Sequence, residues 1–258
     1  MNTIPQSTVS ADATVGKPTL RRRIATSKSP LARFLKWAYW QVNGLSVPAP
    51  KAVVLPAVWL FLFLRNSYYF VMRVFICEPF FKACCTSYGR NLHTDAHLHW
   101  IAGKGDIVVG DNVSIVGKVD IGFAARFADR PRLEIGDNTG IGGGCSFAIG
   151  KLICIGRNCT LSGGIQIMDS NGHDTDPGSR WRHEPPKSQD VRPVLIRDNV
   201  WIGRNCIIFP GVKIGEGSVI SAASVVRSHV PPYSVVAGNP AKVMFRLKKP
   251  EQAGQLQA

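Results

Sequence analysis

Aliphatic residues recur at every sixth position along most of the C-terminal half of this chain. Ile196, Ile202, Ile208, Ile214, Ile220 and Val226 keep one register through the segments IRDNVW, IGRNCI, IFPGVK, IGEGSV, ISAASV and VRSHVP. Earlier runs are led by Ile155, Leu161 and Ile167, by Ile135, Ile141 and Phe147, and by Val109, Ile115 and Ile121. With insertions, the array spans about Ile107 to Ala237. A period of six excludes an ordinary helix, whose apolar face recurs every three to four residues, and a simple alternating strand would not place Gly, Asn or Asp so regularly after the aliphatic residue. It predicts a parallel β-helix, in which each hexad is one short strand and one corner and three hexads close a triangular coil. The leading aliphatic side chains then stack inward, and Gly and Asn take the corners because they tolerate positive φ. Stacked coils cover one another's edges, so only the two ends of the array need caps.

Cysteine usage fits this frame. There are seven, an odd number, and Cys145, Cys159 and Cys206 each fall at the fifth place of a hexad, where a small apolar side chain packs. No secretory leader pattern precedes them, so a reduced, cytoplasmic setting is expected. The net charge of +14 is uneven: Lys17, Arg21, Arg22, Arg23, Lys28, Arg33, Lys36 and Lys51 face only Asp12 across the first 51 residues. Such a leader suits nucleic acid, an anionic membrane or a phosphorylated ligand, and charge alone does not choose among them.

The stretch DNVWIGRNCIIFPGVKIGEGSVISAASVVRSHVPPYSVVAGNPAKV, Asp198 to Val243, resembles the hexapeptide-repeat acyltransferases of the left-handed β-helix type, in particular the branch of galactoside, maltose and exopolysaccharide O-acetyltransferases. NVWIG, PGVKIG and VPPYSVVAGNPAKV carry the resemblance, which covers roughly Gly110 to Arg246. It implies left-handed coils, an all-β body and an acetyl-CoA-dependent O-acetyltransferase. The acceptor it implies is a sugar or polysaccharide intermediate, with no nucleic acid and no metal.

One stretch breaks the repeat. Six residues beyond Ile167 lies His173, in MDSNGHDTDPGSRWRHEPP, and the hexads resume only at Val194 and Ile196, so about residues 171–193 must leave the coil as a loop. The resemblance places the family's general base on this loop, at His173, although Asp174 stands where relatives commonly carry proline. Asp176 matches an acidic residue often found three places on, with the implied role of orienting His173. The chemistry needs such a base: a sugar hydroxyl is a poor nucleophile at neutral pH, and imidazole titrates near ~6.5. A Gly-x-Ser-x-Gly elbow is missing from the sequence, so transfer is expected to be direct rather than through an acyl-enzyme.

For coenzyme A the family uses a groove along the C-terminal coils between two subunits of a homotrimer. Carried over by position, Trp201 lies beside the thiol end, Ala222 follows the pantetheine arm and Lys242 meets the phosphate end. Arg204 and Arg227 occupy cofactor-contacting positions that are usually smaller residues. The stretch GIGGGCSFAIG lacks the asparagine with which some relatives hold their acceptor, so acceptor identity does not transfer.

The rest of the chain divides, on composition, into a disordered basic leader at 1–29, a helical segment at 30–88, the β-helix at 89–246 and a tail at 247–258. Leu31 to Val42 reads as helix. AVVLPAVWLFLFL, Ala52 to Leu64, is a charge-free run between Lys51 and Arg65, too short to cross a bilayer of about 20 residues and interrupted by Pro56. Residues 52–81 fit either a peripheral membrane helix on the inner face of the cell membrane or a cap on the β-helix. In HTDAHLH, His97 and His99 would share a strand face like a metal pair, so a β-helix carbonic anhydrase is the alternative enzyme and a noncatalytic scaffold the alternative outside enzymes.

Overall fold

The computed structural model describes residues 19–124 and 126–249. The chain divides at Phe61/Leu62 into two compact units. The smaller holds two helices, α1 (Leu20–Thr26) and α2 (Pro30–Asn43), and the start of a third, α3 (Lys51–Met72). The leader expected to be disordered through residue 29 is thus helical at Leu20–Thr26; residues 1–18 lie outside the described part. Order comes from α2, because Ile24 and Ala25 share a groove with Leu35 and Tyr39, and the Lys36 ammonium donates to the Ser27 carbonyl at 3.0 Å. Ser29 caps α2, accepting from the Ala32 N–H, with Pro30 pre-set at the first helical position.

Pro56 does not interrupt α3, which runs through it to Met72. A proline early in a helix forfeits the one hydrogen bond its missing N–H would have made four residues back. Helical structure continues through a π turn at Arg73–Cys77 into α4 (Glu78–Cys84), a run of 34 residues in all. No residue of α3 is buried, whereas Cys77 and Phe81 are. Phe81 joins the core of the β-helix and meets the His99 ring edge-on at 4.8 Å, so α4 caps the first coil.

The larger unit is a parallel β-helix in which every third strand falls in the same sheet. The first sheet takes Ser87–Tyr88, Asp106–Val109, Arg132–Ile135, Leu152–Ile155, Val194–Ile196 and Lys213–Ile214. The second runs through His93–Thr94, Ser114–Ile115, Gly140–Ile141, Thr160–Leu161, Trp201–Ile202 and Val219–Ile220 to Ser234–Gly238 and Ala241–Arg246. The third stacks Trp100–Ala102, Asp120–Phe123, Ser146–Ile149, Gln166–Met168, Ile207–Ile208 and Val225–Val226. All pairings are parallel except the last of the second sheet, where Ala241–Arg246 turns back antiparallel and closes the C-terminal edge.

Every aliphatic or Phe residue that leads a hexad in the sequence is buried, from Val109 to Val226. Many of the residues at positive φ sit at the fourth place of a hexad, among them Asn138, Asn158, Asn199, Asn205, Gly211, Gly217 and, without the usual Asn or Gly, Ala223. At one corner the asparagines form a ladder, Asn91 donating to Asn112 at 2.9 Å, Asn112 to Asn138 at 3.0 Å and Asn138 to Asn158 at 3.2 Å. The fifth-place cysteines are core residues whose thiols reach carbonyls of the next coil, Cys145 to Ser162, Cys159 to Arg197 and Cys206 to Ser221. Burial pushes all three thiols up, which makes them poor nucleophiles.

Candidate active site

Two insertions interrupt the coils on the same side. One lies between Asp120–Phe123 and Arg132–Ile135; the other runs from Met168 to Val194. Between them lies an open cavity of about 340 Å³. Phe123, Arg126 and Phe127 line it from the first insertion, Ala148 and Ile149 from the third sheet, and Ser170, His173, His183 and Glu184 from the second. His173 is exposed, follows Gly172 at φ +79°, and projects from the first residues to leave the coil. The mixture of aromatic walls and a few polar groups is what a small polar ligand needs to be both covered and oriented.

Asp169 anchors the loop. Its carboxylate is fully buried and accepts from the Gly150 N–H at 2.6 Å, the Lys151 N–H at 2.6 Å and the Leu152 N–H at 2.8 Å. Burial pushes this carboxyl up, and the three backbone donors pull it back. Its own carbonyl accepts from the Arg192 N–H at 2.8 Å, so one residue ties the departure of the loop to its return. Inside the loop a short helix, α5 (Pro177–Trp181), begins at Asp176. The Arg182 guanidinium grips Glu184 at 2.7 Å and holds that carboxyl below its ordinary value.

Asp176 does different work from the orienting role expected of it. Its carboxylate accepts from the Ser179 N–H at 2.7 Å as the cap of α5, which holds it below the usual carboxylate range. An Asp-Pro-Gly sequence is a strong helix start, and capping has claimed the side chain. The neighbour that turns inward is Asp174, buried, with Oδ1 accepting from the Asp176 N–H at 2.9 Å.

The five residues assigned to the cofactor lie on the C-terminal coils and do not line this cavity. Trp201 is 54 % exposed on the second sheet between Thr160 and Val219. Ala222 is exposed at the following corner, packed close over Gly203, and Arg204 lays its guanidinium beside Gly163 one coil earlier. Arg227 stacks on the Phe209 ring at 4.4 Å. Lys242 is exposed on the terminal antiparallel strand opposite Ala237.

His97 and His99 are not on a strand; both precede Trp100–Ala102. His97 is exposed, whereas His99 is turned under α4, accepting at Nδ1 from the Val119 N–H at 3.2 Å, with its ring nitrogen Nε2 buried. Burial lowers His99 to about 4. No group of three or more metal-ligating side chains occurs among the described residues. The first insertion, with Phe123, Arg126 and Phe127, was not anticipated as part of a site; its signal was the spacing of 14 from Ile121 to Ile135.

Residues 193–228 match the family described as bacterial transferase hexapeptide (six repeats). A Schizosaccharomyces pombe protein named as an acetyltransferase is 36% identical over 104 residues, covering 40% of this chain and 48% of that protein. A Lysinibacillus sphaericus protein named as a macrolide acetyltransferase is 36% identical over 107 residues, 36% of this chain and 59% of that one. The chain therefore spans about half the length of the curated relatives it matches. Among solved structures, a mutant of AntD, an N-acyltransferase from Bacillus cereus in complex with dTDP-4-amino-4,6-dideoxyglucose and coenzyme A, superposes with a TM-score of 0.54 at 22% identity, over 67% of this chain and 89% of that one. The likeness bears out the architecture: the hexads predict a parallel β-helix, and the family resemblance implies its left hand. With its coils stacked in that architecture, the β-helical part of this chain is similar to the bacterial transferase hexapeptide family, whose repeat it matches over residues 193–228.

Proposed function

We propose that the chain is an acetyl-CoA-dependent O-acetyltransferase whose acceptor is a hydroxyl of a sugar or polysaccharide intermediate. The observation that carries this reading is His173, held at the base of an extruded loop and lining a cavity of about 340 Å³. Relatives named as acetyltransferases support the reaction class.

His173 takes the proton of the acceptor hydroxyl as its oxygen attacks the thioester carbonyl. The tetrahedral adduct collapses by breaking the carbon–sulfur bond, and the imidazolium returns its proton to the departing thiolate. Positioned base catalysis supplies about 10² to 10⁴ in rate, and holding the two reactants together supplies much of the rest. Phe123 and Phe127 offer apolar faces to a pyranose ring, and Arg126 offers a cation beside it. Asp169, by fixing both ends of the loop, sets where His173 stands.

Trp201, Arg204, Ala222, Arg227 and Lys242 form the cofactor side. Because they are exposed on one protomer, a groove for a pantetheine arm needs a second wall, and a homotrimer with sites at its interfaces supplies it. A donor of this kind suits a cytoplasmic reaction. Incubation with acetyl-CoA and a panel of hydroxyl and amino sugars, reading free thiol, tests the proposal. Acceptor-dependent thiol release from hydroxyl sugars is expected. Release only with amino sugars would move the reaction to nitrogen, and coenzyme A failing to bind at all would leave a noncatalytic scaffold.

A further inference from the structure

The helical run Lys51–Cys84 exposes more apolar surface than the rest of the fold explains. Val58, Trp59, Leu60, Phe61, Phe63 and Leu64 are all exposed, Trp59 at 65 %, Phe61 at 63 % and Phe63 at 67 %. Four of them are consecutive, and successive residues on a helix step by 100°, so the bare surface goes all the way round. A protein groove covers one stripe of a helix, at spacings of three and four. A helix apolar on every side is matched by a solvent that surrounds it.

Charge selects the kind of solvent. No charged residue falls between Lys51 and Arg65, and both ends of the bare run are cationic. The chain before Lys51 adds seven further Lys or Arg against Asp12. Tyr68 and Tyr69, both exposed, follow Arg65 by one turn, the residue type that sits at headgroup level. The helical run of 34 residues, Lys51–Cys84, is by length and composition long and apolar enough to cross a membrane. Its charge-free part between Lys51 and Arg65, however, rises only about 21 Å, less than the roughly 30 Å of a hydrocarbon core, and with that part in the bilayer the cations at both ends reach phosphates of the same leaflet by snorkelling.

We propose that the segment Lys51–Tyr69 docks the protein on an anionic lipid bilayer, its apolar run in one leaflet and Lys51, Arg65 and the tyrosines at the headgroups. The inference is independent of the catalytic reading. It is tested by cosedimentation of the full chain with vesicles of phosphatidylcholine containing 30 mol% phosphatidylglycerol, on the order of physiological anionic content, and with phosphatidylcholine alone. The full chain should sediment with the anionic vesicles and stay partly bound in high salt, because apolar burial is not screened. Leu60→Glu/Phe63→Glu, at sites already exposed, should lower the partition coefficient on the order of a hundredfold. Lys51→Gln/Arg65→Gln should narrow the preference for phosphatidylglycerol while keeping the fold by circular dichroism. Wild-type protein that ignores both vesicles overturns the proposal, as does unchanged binding of the glutamate variant. A lipid-free assembly that the glutamate substitutions dissolve, in protein that does not bind vesicles, would assign the helix to a second copy instead.

Discussion

Replacing Asp169 by Asn is the sharpest perturbation of the site available without touching the reacting groups. The carboxylate accepts three backbone N–H bonds, at 2.6, 2.6 and 2.8 Å, and is fully buried. Asparagine keeps one oxygen. Turned toward Lys151 and Leu152, it leaves its NH₂ facing the Gly150 N–H, donor against donor. The variant loses the extra strength of bonds to a charged acceptor, about 1 kcal/mol for each of the two bonds kept, and leaves a buried donor unpaired at about 1–3 kcal/mol. Together these bring the expected cost to about 3–5 kcal/mol, a large share of the 5–15 kcal/mol that holds a typical domain together. Asp176→Asn is the control, since that carboxylate is exposed and Asn caps a helix about as well as Asp. Urea unfolding followed by circular dichroism, at fixed protomer concentration, measures both. A shift below about 1 kcal/mol for Asp169→Asn, or equal shifts for the two variants, would refute the claim that Asp169 clamps the loop.

Three further outcomes follow from other parts of the molecule. Asn138 sits at φ 56° in the asparagine ladder, so Asn138→Ala should cost about 2–3 kcal/mol, combining left-handed strain with lost hydrogen bonds, and Asn138→Gly about half of that; equal costs would mean backbone strain is not involved. His99 is held neutral, at about 4 when folded against ~6.5 unfolded, so the unfolded chain binds the extra proton and stability falls as pH drops from about 6.5 to 4, by at most about 3 kcal/mol; His99→Asn, which keeps an acceptor for the Val119 N–H, should show a flatter profile over that window. Lys242→Ala should weaken coenzyme A about tenfold more than dephospho-coenzyme A if the ammonium meets the terminal phosphate. Equal weakening in isothermal titration would put Lys242 elsewhere.

What could be read from the sequence is what repeats. Ile196 to Val226 announce their burial by a period that no other structure shares, and His173 is visible because it falls where the next buried residue is due. Contacts between segments far apart in the chain leave no such trace. Nothing near Asp169 in sequence points to Gly150, Lys151 and Leu152, and the irregular spacing from Ile121 to Ile135 marks an insertion without saying that Phe123 and Phe127 face His173's cavity. Asp176 misled because its spacing from a histidine suited one role while its position before Pro177 suited another, and the local hydrogen bond won. His97 and His99 alternate like strand residues, but α4 packs over His99 alone and the strand starts only at Trp100. Pro56 reads as a breaker, yet a helix tolerates one lost hydrogen bond when the residues on either side favour it.

The central claim is that a histidine at the break of the repeat moves the proton in acyl transfer. Steady-state turnover of His173→Ala with acetyl-CoA and the best acceptor, set beside its coenzyme A affinity, tests it most directly. Turnover should fall by about two to four powers of ten while coenzyme A binds within about twofold of wild type. Wild-type turnover in that variant would contradict the account and remove His173 from the chemistry.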